Sequence, residues 1–109
     1  MIDQRQSPRI LVDVPAVLSV VGAASVCSAR VLDVSKSGYR VNCPFKLESG
    51  TEVRLICLAK RILGKVRYSR QIESHEFHVG VEVTEVSTDG LSRSEPVDLT
   101  LIFQSAPAR

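Results

Sequence analysis

The sequence predicts an all-β fold, an antiparallel sheet or small barrel, and three observations support this prediction. Apolar and polar residues alternate in several short segments, turn-forming residues separate these segments, and no long segment has a helical period. With no Trp and 5% aromatic residues, the core depends on Val, Ile and Leu, which favour strands. A chain of 109 residues fits one domain whose core needs no metal or disulfide.

The first half of the chain predicts three strands. Every second residue of the segment 10–20 is apolar, which is typical of a half-buried strand. A turn at Gly22 leads into a return strand over residues 26–34, so these two segments form a hairpin. The Ser-Lys-Ser-Gly turn at residues 35–38 then ends the second strand, and a short third strand covers residues 39–43.

The second half predicts another pair of strands, at residues 51–58 and 61–69. Alternation in the second of them assigns side chains to two faces: Lys65 and Arg67 outward, Val66 and Tyr68 on the opposite side.

A last clear strand covers residues 77–83 and contains Gly80. Glycine weakens a strand, so Gly80 predicts a bulge or a close approach by backbone or ligand. The chain beyond Glu85 is predicted to be a loop. Residues 94–103 fit a short helix or an extended segment equally well, and this choice stays open.

Charge and apolar content exclude several classes of protein. A net charge of +2 is too small for a protein that coats nucleic acid, although residues 54–70 are locally basic. The apolar segment 14–27 is interrupted by polar residues and is shorter than the roughly 20 residues of a spanning helix. We therefore expect a cytoplasmic protein that neither binds nucleic acid nor inserts into a membrane.

The cysteines and histidines predict neither a metal site nor a catalytic one. Three widely and unequally spaced cysteines match neither a disulfide framework nor a zinc site, and no nucleophile motif accompanies the two histidines. We expect reduced, mostly buried thiols, no cofactor, no metal and no enzymatic activity. The residues concerned are Cys27, Cys43, Cys57, His75 and His78.

Two polar motifs supply groups that suit a guanine nucleotide with two phosphates. Arg5 and Arg9 carry guanidinium groups, which bind phosphate or the O6/N7 edge of guanine and stack on bases. Asp33 accepts hydrogen bonds from the N1 and N2 donors of guanine. Ser35 adds a hydroxyl, and Gly38 permits a close approach of the backbone. We predict that the two motifs converge on one pocket.

These motifs, RxxxR at residues 5–9 and DxSxxG at residues 33–38, occur in the order found in the PilZ domain family, which the sequence resembles from about residue 3 to 86. The segment His-Val-Gly-Val-Glu at residues 78–82 is similar to a late glycine-containing strand of the family.

The resemblance implies a six-stranded antiparallel (split) β-barrel that binds the bacterial second messenger cyclic di-GMP. It implies a flexible N-terminal arm at 1–9, a barrel at 10–86, and a C-terminal loop with a short helix or strand and a frayed tail at 87–109. The arm is expected to order over the ligand and present a surface to a protein partner. The implied ligand contacts are Arg5, Arg9, Asp33, Ser35 and Gly38, with Gln4, Ser37 and Gly80 as further candidates.

Two other functions stay open at this point. One is a protein-interaction module that has kept the fold without binding nucleotide. The other is a small RNA-binding barrel that uses Lys65 and Arg67, against which the scarcity of aromatic residues argues.

Overall fold

The computed structural model describes residues 9–88 and 97–104, together with the backbone of residues 94–95. Within them none of the helical structure is long and apolar enough to cross a membrane. The elements are β1 (Ile10–Val20), β2 (Val26–Val34), β3 (Gly38–Cys43), β4 (Glu52–Cys57), β5 (Lys60–Glu73), β6 (Glu76–Thr88), β7 (Ser94–Glu95) and α1 (Leu99–Ile102).

The first six strands close into a barrel in which every neighbouring pair is antiparallel. Strand β1 pairs with β2 and β4, β5 joins β4 to β6, and β6 also pairs with β3 to complete the ring. The short strand β7 adds to β6 through Val86 and Ser87. The predicted all-β, six-stranded antiparallel barrel with a short C-terminal helix is confirmed.

Aliphatic side chains from all six barrel strands fill the interior. Two residues of the C-terminal segment, Leu99 and Phe103, are also buried in this core. Each fully buried aliphatic or aromatic side chain contributes roughly 1.5–3 kcal/mol, so the interior fixes the strand positions on which the outer surface depends. The largest fully buried side chains in the strands are Tyr39, Leu18, Leu55, Ile62, Val31, Val34, Val41, Val53, Val66 and Val79.

The predicted loop beyond Glu85 is wrong, because β6 continues to Thr88. Val86 is fully buried and pairs with Ile62 of β5, so its burial holds the strand together past the predicted end. Strand β5 is likewise longer than predicted and reaches Glu73, where the hairpin to β6 begins. Residues 94–103 combine both open alternatives, since a two-residue strand precedes a four-residue helix.

The predicted inward orientation of Tyr68 is also wrong. Val66 pairs with Val81 and Tyr68 pairs with Gly80, so Arg67 is an extra residue that forms a β-bulge. A single inserted residue reverses the faces of the residues that follow it. Tyr68 is 47% exposed for this reason, whereas Val66 is buried as predicted.

Candidate functional site

An irregularity in β2 sets the direction of the Asp33 side chain. Val31 and Asp33 lie opposite neighbouring residues of β3, which leaves Leu32 without a pairing partner. Because of this bulge, Val31 and Val34 both belong to the core although they are three residues apart. Asp33 therefore lies on the outer side of the barrel wall, at the end of β2.

The Asp33 carboxylate is almost completely covered by two arginines, although it lies on the outer side. Its residue is only 1% exposed. Arg9 donates to Oδ1 from Nε at 2.8 Å, and its Nη2 lies 2.7 Å from the same oxygen. Arg40 donates to Oδ2 from Nε at 2.8 Å, and its Nη2 lies 2.5 Å from that oxygen. These charge-assisted hydrogen bonds and ion pairs offset the cost of burying the carboxylate.

Sequence reasoning missed Arg40. It lies in the middle of β3, directly opposite Asp33 in the β2–β3 pair and opposite Gly80 on the β6 side. Its neighbours Tyr39 and Val41 are buried in the core, so alternation places Arg40 outward. The signal was present, since a hairpin that turns at residues 35–38 brings Asp33 and Arg40 together across the strands.

The turn that follows Asp33 is held by short-range bonds. The Ser35 N–H donates to the Gly38 carbonyl at 2.8 Å, and the Ser35 hydroxyl lies 3.4 Å from the same oxygen. A β-carbon on Gly38 would lie only 2.9 Å from the carbonyl oxygen of Val81 in β6. Glycine is therefore required at position 38 because the backbone of β6 passes so close.

An open pocket of about 190 Å³ lies over this turn, between β3, β5 and β6. It brings together five residues that the sequence predicted for the site, whereas Asp33 lies beneath Arg9 and does not line the pocket. Arg5 and Gln4 lie outside the described residues. The five predicted residues in the lining are Arg9, Ser35, Ser37, Gly38 and Gly80.

Five residues of the lining were not predicted for the site: Tyr39 on β3, Arg67 and Tyr68 on β5, and Val81 and Glu82 on β6. The ring of Tyr68 covers Gly80, so the strand glycine makes room for a side chain of this protein. Arg67 and Glu82 form an ion pair of 2.6 Å between Nη1 and Oε1. Both of these side chains are more than half exposed, so the pair is open to solvent.

The C-terminal segment is attached to the same turn. The Leu99 N–H donates to the Lys36 carbonyl at 2.9 Å, and the Val83 N–H donates to the Ser37 carbonyl at 2.8 Å. Asp98 caps the short helix by accepting a hydrogen bond from the Thr100 N–H. The turn is consequently linked both to β6 and to α1, whose first residue, Leu99, is buried in the core.

The thiols do not have the properties of nucleophiles or metal ligands. Burial raises the pKa of Cys57 to about 12. Burial also raises the pKa values of Cys27 and Cys43, with a further rise at Cys27 from its proximity to Cys43. A protonated thiol is a poor nucleophile and a poor ligand. In residues 9–88 and 97–104, no three His, Cys, Asp or Glu side chains are grouped so that they could hold a metal ion.

Comparisons with known proteins agree with the architecture. The chain is similar to the solved structure of the inhibitor of motility (MotI/DgrA) of Bacillus subtilis, with 18% identity and a TM-score of 0.63. The similarity covers 79% of this chain but only 44% of that protein, so the chain spans less than half of its length. At this identity the likeness concerns the fold alone. A search of curated proteins gives no match.

The family is established by the sequence profile of the PilZ domain, which matches residues 3–99 and so includes both motifs, the whole barrel and the start of α1. Members of this family are receptor and adaptor modules for cyclic di-GMP. The chain belongs to the PilZ domain family.

Proposed function

We propose that this protein is a receptor for cyclic di-GMP that binds the ligand at the pocket over the residue 35–38 turn. The observation that carries the proposal is the ion pair between Arg9, which lines the pocket, and Asp33, which lies next to the pocket behind Arg9. The pair brings a guanidinium for phosphate and a carboxylate for the donor edge of guanine to one place. This convergence supports one ligand that needs both groups.

Arg9 is suited to exchange between protein and ligand. Its side chain is about half exposed, and it lines the pocket while it contacts Asp33. A ligand phosphate offers guanidinium the same bidentate geometry as a carboxylate, so the arginine has an equivalent partner when it leaves Asp33. The Asp33 oxygen that Arg9 releases then becomes an acceptor for a guanine donor.

Tyr68 and Arg67 extend the proposed site to the β5 side. The exposed ring of Tyr68 offers a flat surface for a purine, and stacking of a base on an aromatic side chain contributes roughly 1–3 kcal/mol. Arg67 supplies a second cation to the pocket, and its exposed partner Glu82 holds it only weakly. The arrangement supports a ligand that carries both bases and phosphates.

The size of the pocket supports a role for the N-terminal motif. A volume of about 190 Å³ is below the roughly 300–1,000 Å³ of ordinary ligand sites. We assign the remaining contacts to the arm at residues 1–9, with Arg5 and Gln4 as the residues that close over the ligand. Closure presents a new surface, and the messenger level is thereby converted into a protein–protein interaction.

Calorimetric titration tests the proposal. Cyclic di-GMP should bind with saturable heat at micromolar protein, and GTP should not. Arg9→Ala should lower the affinity about tenfold or more, since one charge-assisted contact is worth roughly 1.5–3 kcal/mol. Arg54→Ala is the matched control, because Arg54 is an exposed arginine on β4 away from the pocket. No saturable heat with the unaltered protein would refute the proposal.

One observation favours the second candidate, a protein-interaction module that does not use the nucleotide. Both oxygens of Asp33 already accept hydrogen bonds from arginines, so the motif residues stabilise one another without a ligand. On this alternative a protein partner is captured equally well with and without cyclic di-GMP, and Arg9→Ala leaves that capture unchanged. A pull-down with and without the nucleotide separates the two candidates.

A further inference from the structure

We infer that Arg40 is a positioning residue that keeps Asp33 paired while Arg9 transfers to the ligand. This inference rests on the proposed function and assigns the two arginines around Asp33 different roles. Arg9 is the exchangeable partner and Arg40 the permanent one. Each oxygen of Asp33 accepts from a different arginine, Oδ1 from Arg9 and Oδ2 from Arg40, so one arginine can leave while the other stays bound.

The two arginines differ in how the backbone holds them. Arg40 lies in the middle of β3, between β2 and β6. It pairs with Asp33 of β2 on one side and with Gly80 of β6 on the other. Arg9 precedes β1, whose pairing with β2 begins at Ile10 and Val34. The backbone of Arg40 is therefore fixed by the barrel, whereas that of Arg9 lies just before its strand begins.

Arg9 and Arg40 also differ in their position relative to the pocket. Arg9 lines the pocket and its side chain is 49% exposed, whereas Arg40 is not part of the lining and is 38% exposed. A ligand in the pocket thus meets the Arg9 guanidinium first. Arg40 reaches Asp33 from the β3 side and needs no movement when the pocket fills.

Burial makes the permanent partner necessary. The Asp33 side chain is only 2% exposed, and a buried carboxylate left without a partner is strongly destabilising. If Arg9 were its sole partner, transfer of Arg9 to a phosphate would leave this charge unpaired, and the ligand would have to offset that cost. With Arg40 on Oδ2, the transfer frees only Oδ1, which then faces the ligand.

A test without ligand uses the arginine Nε–Hε signals in nitrogen-15 spectra. In Arg9→Ala the Arg40 signal should stay at its position, because Asp33 remains held. In Arg40→Ala the Arg9 signal should shift, because Arg9 is then the sole partner of the buried carboxylate and both oxygens depend on it. Urea unfolding should show a larger fall in midpoint for Arg40→Ala than for Arg9→Ala, with Arg54→Ala as the exposed control. Equal effects of the Arg9 and Arg40 changes on signals and midpoints would overturn the inference.

A second test adds cyclic di-GMP. In the unaltered protein the Arg9 signal should shift on binding while that of Arg40 stays in place. Arg40→Ala should weaken binding about tenfold although Arg40 touches no ligand, and Arg40→Lys, which keeps the charge, should recover part of the loss. Wild-type affinity in Arg40→Ala, or a shift of the Arg40 signal equal to that of Arg9, would contradict the positioning role. If the unaltered protein binds no nucleotide, the proposed function fails, while the ligand-free measurements still decide how Asp33 is held.

Discussion

The ring of Tyr68 lies so close over Gly80 that a β-carbon at position 80 would stand 2.2 Å from Cε2 of the ring. The two residues are direct cross-strand partners of β5 and β6, and the bulge at Arg67 brings the ring to this face. The outward ring of Tyr68 therefore requires glycine at position 80. They create a flat aromatic surface beside the pocket.

Gly80→Ala should displace the Tyr68 ring and lower the free energy of unfolding by about 1–3 kcal/mol, as overpacked sites do. The same alanine in a Tyr68→Ala background should cost much less, because the ring that it meets is gone. Urea unfolding of the two single variants and the double variant measures the coupling. Additive effects would show that the ring and the glycine do not depend on each other.

Sequence reasoning predicted the first hairpin with its observed bounds, because residues 10–20 and 26–34 alternate regularly and a clear turn separates them. It failed where one residue interrupts the alternation. The bulges at Arg67 and Leu32 depend on pairing with distant strands, and a local period of two does not show an extra residue.

In the candidate site, too, residues in local motifs were predicted and residues that depend on strand pairing were not. The turn at residues 35–38 and Arg9 were found from local motifs, which survive in the sequence as fixed spacings. Arg40 and Tyr68 reach the site through strand pairing, so only the assembled barrel shows their role. The roles of Arg5 and Gln4 stay predictions, since both lie outside the described residues.

The Tyr39 hydroxyl yields a prediction about stability. The side chain is buried in the core, and within the described part of the chain its oxygen has no hydrogen-bond partner. Burial raises the pKa of Tyr39, and the thiols of Cys57 and Cys43 raise it further, so the hydroxyl stays protonated. A buried polar group without a partner costs roughly 1–3 kcal/mol.

Tyr39→Phe should therefore leave the free energy of unfolding unchanged or raise it, by up to about 1 kcal/mol. Thermal and urea unfolding measure this change. Tyr68→Phe serves as the control, since that hydroxyl belongs to an exposed residue and its removal should have little effect. A loss of more than about 1 kcal/mol in Tyr39→Phe would mean that the hydroxyl has a partner, such as a buried water.

The raised pKa of Cys57 predicts a loss of stability in alkali. The thiol titrates at its ordinary value of 9.0 in the unfolded chain and at about 12 in the folded protein. Between these values the unfolded state releases a proton that the folded state retains, so rising pH favours unfolding. The slope from this group is about 1.4 kcal/mol per pH unit. Below pH 9 the group has no such effect.

Urea unfolding at several pH values between 8 and 10.5 measures this slope. Cys57→Ala should lower the free energy of unfolding at every pH. It should also flatten the dependence of this free energy on alkaline pH, because unfolding then releases about one proton fewer. Cys27→Ala is the comparison, since Cys27 is only partly buried and should change the slope less. Equal slopes in the unaltered protein and Cys57→Ala would show that this thiol titrates alike in both states.

Replacing Arg67 distinguishes a role in ligand binding from a role in stability. Its bond to Glu82 joins two side chains that are 63% and 55% exposed, and such pairs contribute roughly 0–1 kcal/mol. Arg67→Ala should therefore leave the midpoint of urea unfolding nearly unchanged. In the proposed binding mode, by contrast, Arg67 contacts a ligand phosphate, so Arg67→Ala should lower the affinity for cyclic di-GMP about tenfold.

Lys65→Ala is the control for Arg67→Ala, because Lys65 is an exposed cation two residues away that does not line the pocket. It should bind cyclic di-GMP as the unaltered protein does, since a ligand in the pocket depends on contact geometry and not on the general charge of β5. An RNA-binding barrel would behave differently, because phosphates along the basic surface would make both changes weaken RNA binding and reduce its salt dependence. Measuring the affinities of Arg67→Ala and Lys65→Ala for cyclic di-GMP and for a single-stranded RNA decides which ligand Arg67 binds. Equal affinities of the two variants for cyclic di-GMP would show that Arg67 is not part of the site.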